Sequence, residues 1–201
     1  MLVILKLADM IVNYLYDRNI IEDDIEIYRH GIALYISESI SFSSIIVISL
    51  FTRHTLYTIG YILLFSKMRE TFGGFHCKSF LTCNLTYITI YILFELLLII
   101  MVPQYIQIIS SIVCTAIIWK LAPVDHANKL LSETMKKRFS KEAKGLIVIT
   151  LVCFYLISFI NKNMSLTIWY CILINAILLI KGKLVRNYEE KINGENCETI
   201  L

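Results

Sequence analysis

Proline is almost missing from this sequence, at 2 of 201 residues, and glycine is scarce at 7. With so few chain breakers and no Ser-rich or low-complexity tract, nothing marks a linker, and one integrated domain over residues 1–201 is expected. Charge is sparse too: 17% of residues are charged and the formal balance is only +3. So small and dispersed an excess, with no stretch interleaving basic and aromatic residues, excludes nucleic acid as a partner. The six cysteines, Cys77, Cys83, Cys114, Cys153, Cys171 and Cys197, lack the repeated short spacing of a zinc site or a disulfide scaffold. No metal and no cofactor is therefore read from the chain. Cys114, Cys153 and Cys171 lie in apolar runs, where a thiol behaves as a small hydrophobe, which leaves Cys77 and Cys83. A cleaved secretory signal is not expected either, because Lys6, Asp9 and Asp17 interrupt the first residues before an apolar core forms.

What the sequence has is apolar length. Hydrophobic residues make up 57% of the chain and the mean hydropathy is +0.69. A soluble chain of this size cannot close a core over so much apolar surface, so the fold class expected is an all-α polytopic membrane protein. Four runs read as membrane helices: Leu81–Met101, Tyr105–Leu121, Leu146–Ile160 and Leu166–Ile180. Two earlier runs, Ile32–Phe51 and Thr55–Phe65, bring the number to about six. The first of these is diluted by Glu38 and several serines and the second is too short to cross unaided, so both are expected to be short or re-entrant.

Residues 1–31 read as amphipathic interfacial helices. Leu5, Ala8, Val12 and Leu15 share one stripe while Lys6, Asp9, Asn13 and Asp17 share another, and Ile21, Ile25, Tyr28 and Ile32 repeat the pattern. Packing against another part of the protein would give the same periodicity. Residues 186–201 read as a polar cytoplasmic tail. With six crossings and the N terminus inside, 17 of the 19 basic residues fall on the cytoplasmic side, leaving Arg53 and Lys162 outside. Both termini and the loops at 66–80 and 122–145 are thus expected in the cytoplasm, and the protein in the cytoplasmic membrane.

The loop at 66–80 and the residues after it hold the one constellation with catalytic means: Arg69, Gly73-Gly74, His76-Cys77 and Cys83. A cysteine peptidase needs an imidazole within hydrogen-bond reach of a thiolate. His76 and Cys83 are seven apart, which on one straight helix is about 10 Å of rise, too far for a hydrogen bond. A dyad therefore requires His76 on a turn that folds back, and the glycine pair supplies the free dihedrals. Spacing alone is equally compatible with a loop histidine and two incidental thiols.

The string Arg69-x4-Gly74-x-His76-x6-Cys83 resembles the signature of the accessory gene regulator B (AgrB) family of membrane endopeptidases that process peptide pheromones. Ala122-Pro123-x4-Asn128-Lys129 resembles a second segment of that family, with Ala127 and Leu130 standing where prolines often flank the Asn-Lys. The resemblance implies removal of the acidic C-terminal tail of an AgrD-like precursor through a thioester. A precursor cysteine or serine then closes a thiolactone or lactone ring. Cys83 carries over as nucleophile and His76 as base, while Arg69 and Gly74 carry over as motif positions. Cys77 is the weaker nucleophile on geometry, because side chains of adjacent residues diverge in both extended and helical backbone.

Several residues stay open. Glu95 lies about 18 Å along a helix from Cys83, so it is either an orienting group for another span or a neutral carboxyl in the bundle. His30, His54 and His126 have no matching nucleophile and read as loop or interface residues. Lys136-Lys137-Arg138, with Lys141 and Lys144, reads as an anchor on anionic lipid and alternatively as a binding site for the precursor's acidic tail. A homodimer is expected from the resemblance and because short spans gain from partner packing. Two other functional classes compete with the peptidase. One is a small transporter or permease subunit with Glu38 and Glu95 on its pathway; the other is a non-catalytic scaffold.

Overall fold

The computed structural model describes residues 2–21, 24–75, 79–124 and 132–198. They form seven helices, α1 Leu2–Asp17, α2 Ile25–Thr52, α3 Thr55–Phe72, α4 Phe80–Ile100, α5 Gln104–Leu121, α6 Glu133–Ser158 and α7 Lys162–Glu198, with no strand among the described residues. Their backbone contacts divide into two compact units, residues 1–55 with 77–92, and residues 56–76 with 93–201.

In the first unit α1 packs on α2, burying Ala8 and Val12, while Arg29 Nε lies 2.5 Å from Asp9 Oδ1. The amphipathic stretch after Ile21 does not form the separate interfacial helix its pattern suggests. From Ile25 it is the opening of α2, which runs on without interruption through the apolar residues 32–51. Nor do the serines of that run prevent a full span. Ser39, Ser44 and Ser49 donate their hydroxyls to Tyr35 O, Ile40 O and Ile46 O, so the helix satisfies its own polar groups. Ala33, Ser37, Ser41, Ile45 and Ser49 form a buried stripe at every fourth position, a mostly small surface that allows close helix approach.

The second unit is built around α7. An 18-residue apolar window within its Lys162–Tyr188 stretch is 67% buried, whereas the corresponding windows of α2, α4 and α5 are 22–28% buried. Both α5 and α6 pack on it, and Trp169 Nε1 donates to Ser110 Oγ of α5 at 2.7 Å. Tyr61 and Phe65 of α3, Phe94 of α4 and Tyr170 of α7 form a chain of ring contacts, the nearest being Tyr61 to Phe94 at 5.0 Å between centroids. The tail expected from residue 186 continues helically to Glu198.

Among the described residues, four helices are long and apolar enough to cross a membrane: α2, α4, α5 and α7. This revises the assignment of individual runs. Ile32–Phe51 lies in a helix of spanning length, whereas Leu146–Ile160 falls short, because α6 spends its first half on Lys136–Lys144. Helix α3 ends in Lys67, Arg69 and Glu70 and also falls short. Outward faces carry isoleucine, valine, leucine and phenylalanine, such as Ile109 and Ile112 on α5 and Ile149, Val152 and Leu156 on α6. Apolar surface on this scale calls for lipid as solvent.

Candidate functional site

The segment leading to His76 leaves α3 through a turn that only glycine suits. Gly73 has φ +69° and Gly74 φ +112°, in the region where a Cβ is penalised. Space is closed as well as conformation. A Cβ on Gly73 would strike Val124 O, and one on Gly74 would lie 2.6 Å from Arg69 Nη1 and 3.1 Å from Leu178 O. Arg69, in the last turn of α3, folds over this backbone: Nη1 donates to Gly73 O and Nη2 to Phe75 O. One guanidinium thus satisfies two carbonyls that no helix or sheet engages, a task for which its rigid fork of donors is suited.

Two further elements grip the same turn. Val124 N–H donates to Phe72 O at 3.0 Å, and Gly73 and Val124 form an isolated parallel bridge. From α7, Leu178 O accepts from Phe75 N–H at 3.1 Å, and Lys181 Nζ stands 3.9 Å from the Phe75 ring centroid. The Arg69–Phe75 part of the first segment that carries the family resemblance is therefore joined through its backbone to the second, at Val124, in one unit. His76, Cys77 and Lys78 lie outside the described residues, as do residues 125–131 with Asn128, Lys129 and His126.

Cys83 sits in the first turn of α4, exposed, with its N–H on Ser79 O at 3.0 Å. Ser79 caps that turn. Its Oγ accepts from Thr82 N–H at 3.3 Å, and Thr82 Oγ1 donates back to Ser79 O at 2.9 Å. The next residue, Asn84, is tied to α2, because Ser37 Oγ donates to Asn84 Oδ1 at 2.8 Å. His30 and Phe80 add a ring contact at 5.9 Å between the same two helices. Sequence reading missed Ser37 and Asn84. A polar Asn beside the thiol in an apolar helix was the available signal. Glu95, farther along α4, is buried at 5% exposure.

The basic segment forms a groove. Lys136, Lys137, Ser140, Lys141 and Lys144 recur along one face of α6 and, with Arg186 of α7 and Pro123, line a cavity of about 600 Å³. Arg138 is not part of that lining. It pairs instead with Glu142, Nε to Oε1 at 2.9 Å, one turn along the helix. Lys144 Nζ also lies 5.4 Å from the Trp119 ring centroid. Pro123 and Val124 are neighbours, so the groove and the clamped turn share the segment that follows α5.

Spanning helices, outward apolar faces and basic helix ends define a multi-pass helical membrane protein whose polar chemistry is gathered on the loops and helix ends after α3 and α5. The chain belongs to the accessory gene regulator B (AgrB) family, whose profile matches residues 8–180. Membership places it in the processing of quorum-sensing autoinducer peptides and implies an AgrD-like precursor as partner. No curated protein and no solved structure matches the chain.

Proposed function

We propose that the protein is a membrane cysteine endopeptidase that releases the C-terminal tail of an AgrD-like precursor, with Cys83 as nucleophile and His76 as base. The observation that carries this reading is the double clamp of Arg69 on Gly73 O and Phe75 O. It spends a half-buried guanidinium on fixing the backbone one residue ahead of the histidine, in a family of peptide processors. An exposed thiol in the first turn of α4 supports it, since a nucleophile must be open to its substrate.

The chemistry balances without added water. His76 takes the Cys83 proton, and the thiolate attacks the scissile carbonyl. The imidazolium then returns the proton to the departing amine as the C–N bond breaks, leaving a thioester and a free tail. A precursor thiol or hydroxyl next attacks that thioester, yielding its proton to His76 and expelling the Cys83 thiolate as the ring closes. A membrane-face location shelters the thioester from hydrolysis until the intramolecular nucleophile arrives.

In this reading the whole chain works as one membrane domain, with both termini and the site cytoplasmic, anionic lipid around the basic helix ends, and two copies associating. The groove at Lys136 and Lys137 gathers the acidic tail, with Lys141, Lys144 and Arg186 extending it. Arg138 is held by Glu142. The test is incubation with a precursor lacking its internal nucleophile, then mapping of the hydroxylamine-sensitive adduct by mass spectrometry. An adduct on Cys83, lost in His76→Ala, is expected. An adduct on Cys77, or full cleavage by Cys83→Ala, would overturn the assignment of Cys83, and a wild type giving neither adduct nor tail release would favour the transporter reading.

A further inference from the structure

We propose that Lys181 and Gly182 of α7 are positioning residues for His76, forming a seat on which the turn from Gly73 to Phe75 is fixed. The inference rests on the peptidase reading and deepens it, giving α7 a part in the site although no motif residue lies on that helix.

Three features of α7 meet the turn. Phe75 N–H donates to Leu178 O, a carbonyl with a second lone pair beyond the one its own helix uses. The Lys181 ammonium stands 3.9 Å over the Phe75 ring, within the range of a cation–π contact. At Gly182, a Cβ would lie 2.6 Å from both Gly74 C and Phe75 N. Those are backbone atoms, which cannot swing aside as a side chain can. Glycine weakens a helix interior relative to alanine, so its place in α7 is explained by the approach it permits.

The consequence falls on the peptide bond entering His76. Phe75 has its N–H held by α7 and its C=O held by Arg69, so both backbone polar groups of the preceding residue are engaged by different helices. With Phe75 fixed at both ends and its ring beneath Lys181, the direction in which the chain enters His76 is set before substrate arrives. Proton transfer from the thiol to an imidazole depends steeply on such placement, and a misplacement of about 1 Å from a remote change can cost about a hundredfold in rate. Gly145 offers the internal control, because a Cβ there meets nothing within 4 Å.

The experiment uses the full chain in vesicles with its precursor, comparing wild type with Gly182→Ala, Lys181→Gln, Lys181→Arg, Gly145→Ala and His76→Ala. Tail release gives kcat and KM, and mass spectrometry follows alkylation of the Cys83 peptide against pH. Gly182→Ala should lower kcat at least about tenfold with KM changed less than about twofold, as expected of displaced reacting groups with substrate contacts kept. Its Cys83 alkylation profile should move toward that of His76→Ala. Lys181→Gln should lose activity that Lys181→Arg restores, since arginine keeps the cation over the ring. Gly145→Ala should behave as wild type.

Wild-type kcat in Gly182→Ala beside an inactive His76→Ala would overturn the seat alone. So would an equal loss in Gly145→Ala, or a Lys181→Arg protein no better than Lys181→Gln. If Gly182→Ala does not accumulate in the membrane, the Lys181 pair decides. Tail release by His76→Ala would overturn the peptidase reading itself.

Discussion

Gly73 and Val124 are bridged backbone to backbone although α4 and α5 separate them in the chain. The bridge ties the turn ahead of His76 to the segment that opens the basic groove, so the candidate chemistry and the candidate tail-binding surface share one support. Val124→Pro tests it by deleting the N–H that donates to Phe72 O at 3.0 Å. Leaving that carbonyl without its partner costs about 1–3 kcal/mol locally. Tail release should fall at least about tenfold in Val124→Pro, through displacement of the turn, while Val124→Ala stays near wild type. Equal activity of the two variants would show that the bridge does not support the site.

The hydrogen bond from Ser37 to Asn84 gives the corresponding prediction for the nucleophile helix. Ser37→Ala and Asn84→Ala should each destabilise the protein in detergent. A double-mutant cycle should return a coupling of about 0.5–1.5 kcal/mol, the range for a hydrogen bond between membrane helices. Since Asn84 follows Cys83, both variants should also slow acylation. Independent effects with no coupling would mean that other contacts, such as those of His30 with Phe80 and Phe42 with Tyr87, hold α2 to the start of α4.

For the groove, position separates tail recruitment from simple positive charge. Lys136→Gln with Lys137→Gln and Lys141→Gln should raise KM for the precursor more than it lowers kcat, and the penalty should shrink at high salt. Arg138→Gln should do far less, because Arg138 lies outside the lining and pairs with Glu142. If a precursor with a neutralised tail suffers equally from the triple change, lipid anchoring rather than tail recruitment accounts for these lysines.

How much of this was legible in the sequence differs by residue. The helical membrane class followed from apolar length alone, and the glycine pair announced a turn by dihedral freedom that Gly73 and Gly74 use. The boundaries inside 21–52 were not legible. An amphipathic opening and an apolar run have the same helical period, and Gly31 at their junction is tolerated within a helix, so it does not tell one long helix from two. Serines looked like dilution because a sequence does not show a hydroxyl bonding back to its own helix. The role of Arg69 in spanning two carbonyls, and the meeting of the Ala-Pro segment with the glycine turn, depend on contacts between distant stretches that no local pattern encodes. Lys136-Lys137-Arg138 reads as one cluster along the chain, yet helical rotation puts the third cation on a different face from the first two.

Sidedness is the last prediction, and it rests on where α6 and α7 carry their charge. The two run as a hairpin with a short turn near Asn161, so the start of α6 and the far part of α7 share one end, where Lys136, Lys137, Lys141, Lys144 and Arg186 line a common groove. Moving such a cluster outward opposes the positive-inside rule, and each charge carried outward costs about 2.3 kcal/mol per 100 mV of membrane potential. The groove should therefore face the cytoplasm and the α6–α7 turn the exterior. The apolar part of α6, from Leu146 to Ser158, reaches only about 20 Å at helical rise against a hydrocarbon core of about 30 Å, so the groove end should sit low in a thinned interface. In a background without the native cysteines, Asn163→Cys should react with an impermeant maleimide in intact cells. Ser140→Cys should react only after lysis. Labelling of Ser140→Cys in intact cells would reverse the orientation and remove the groove from any cytoplasmic precursor.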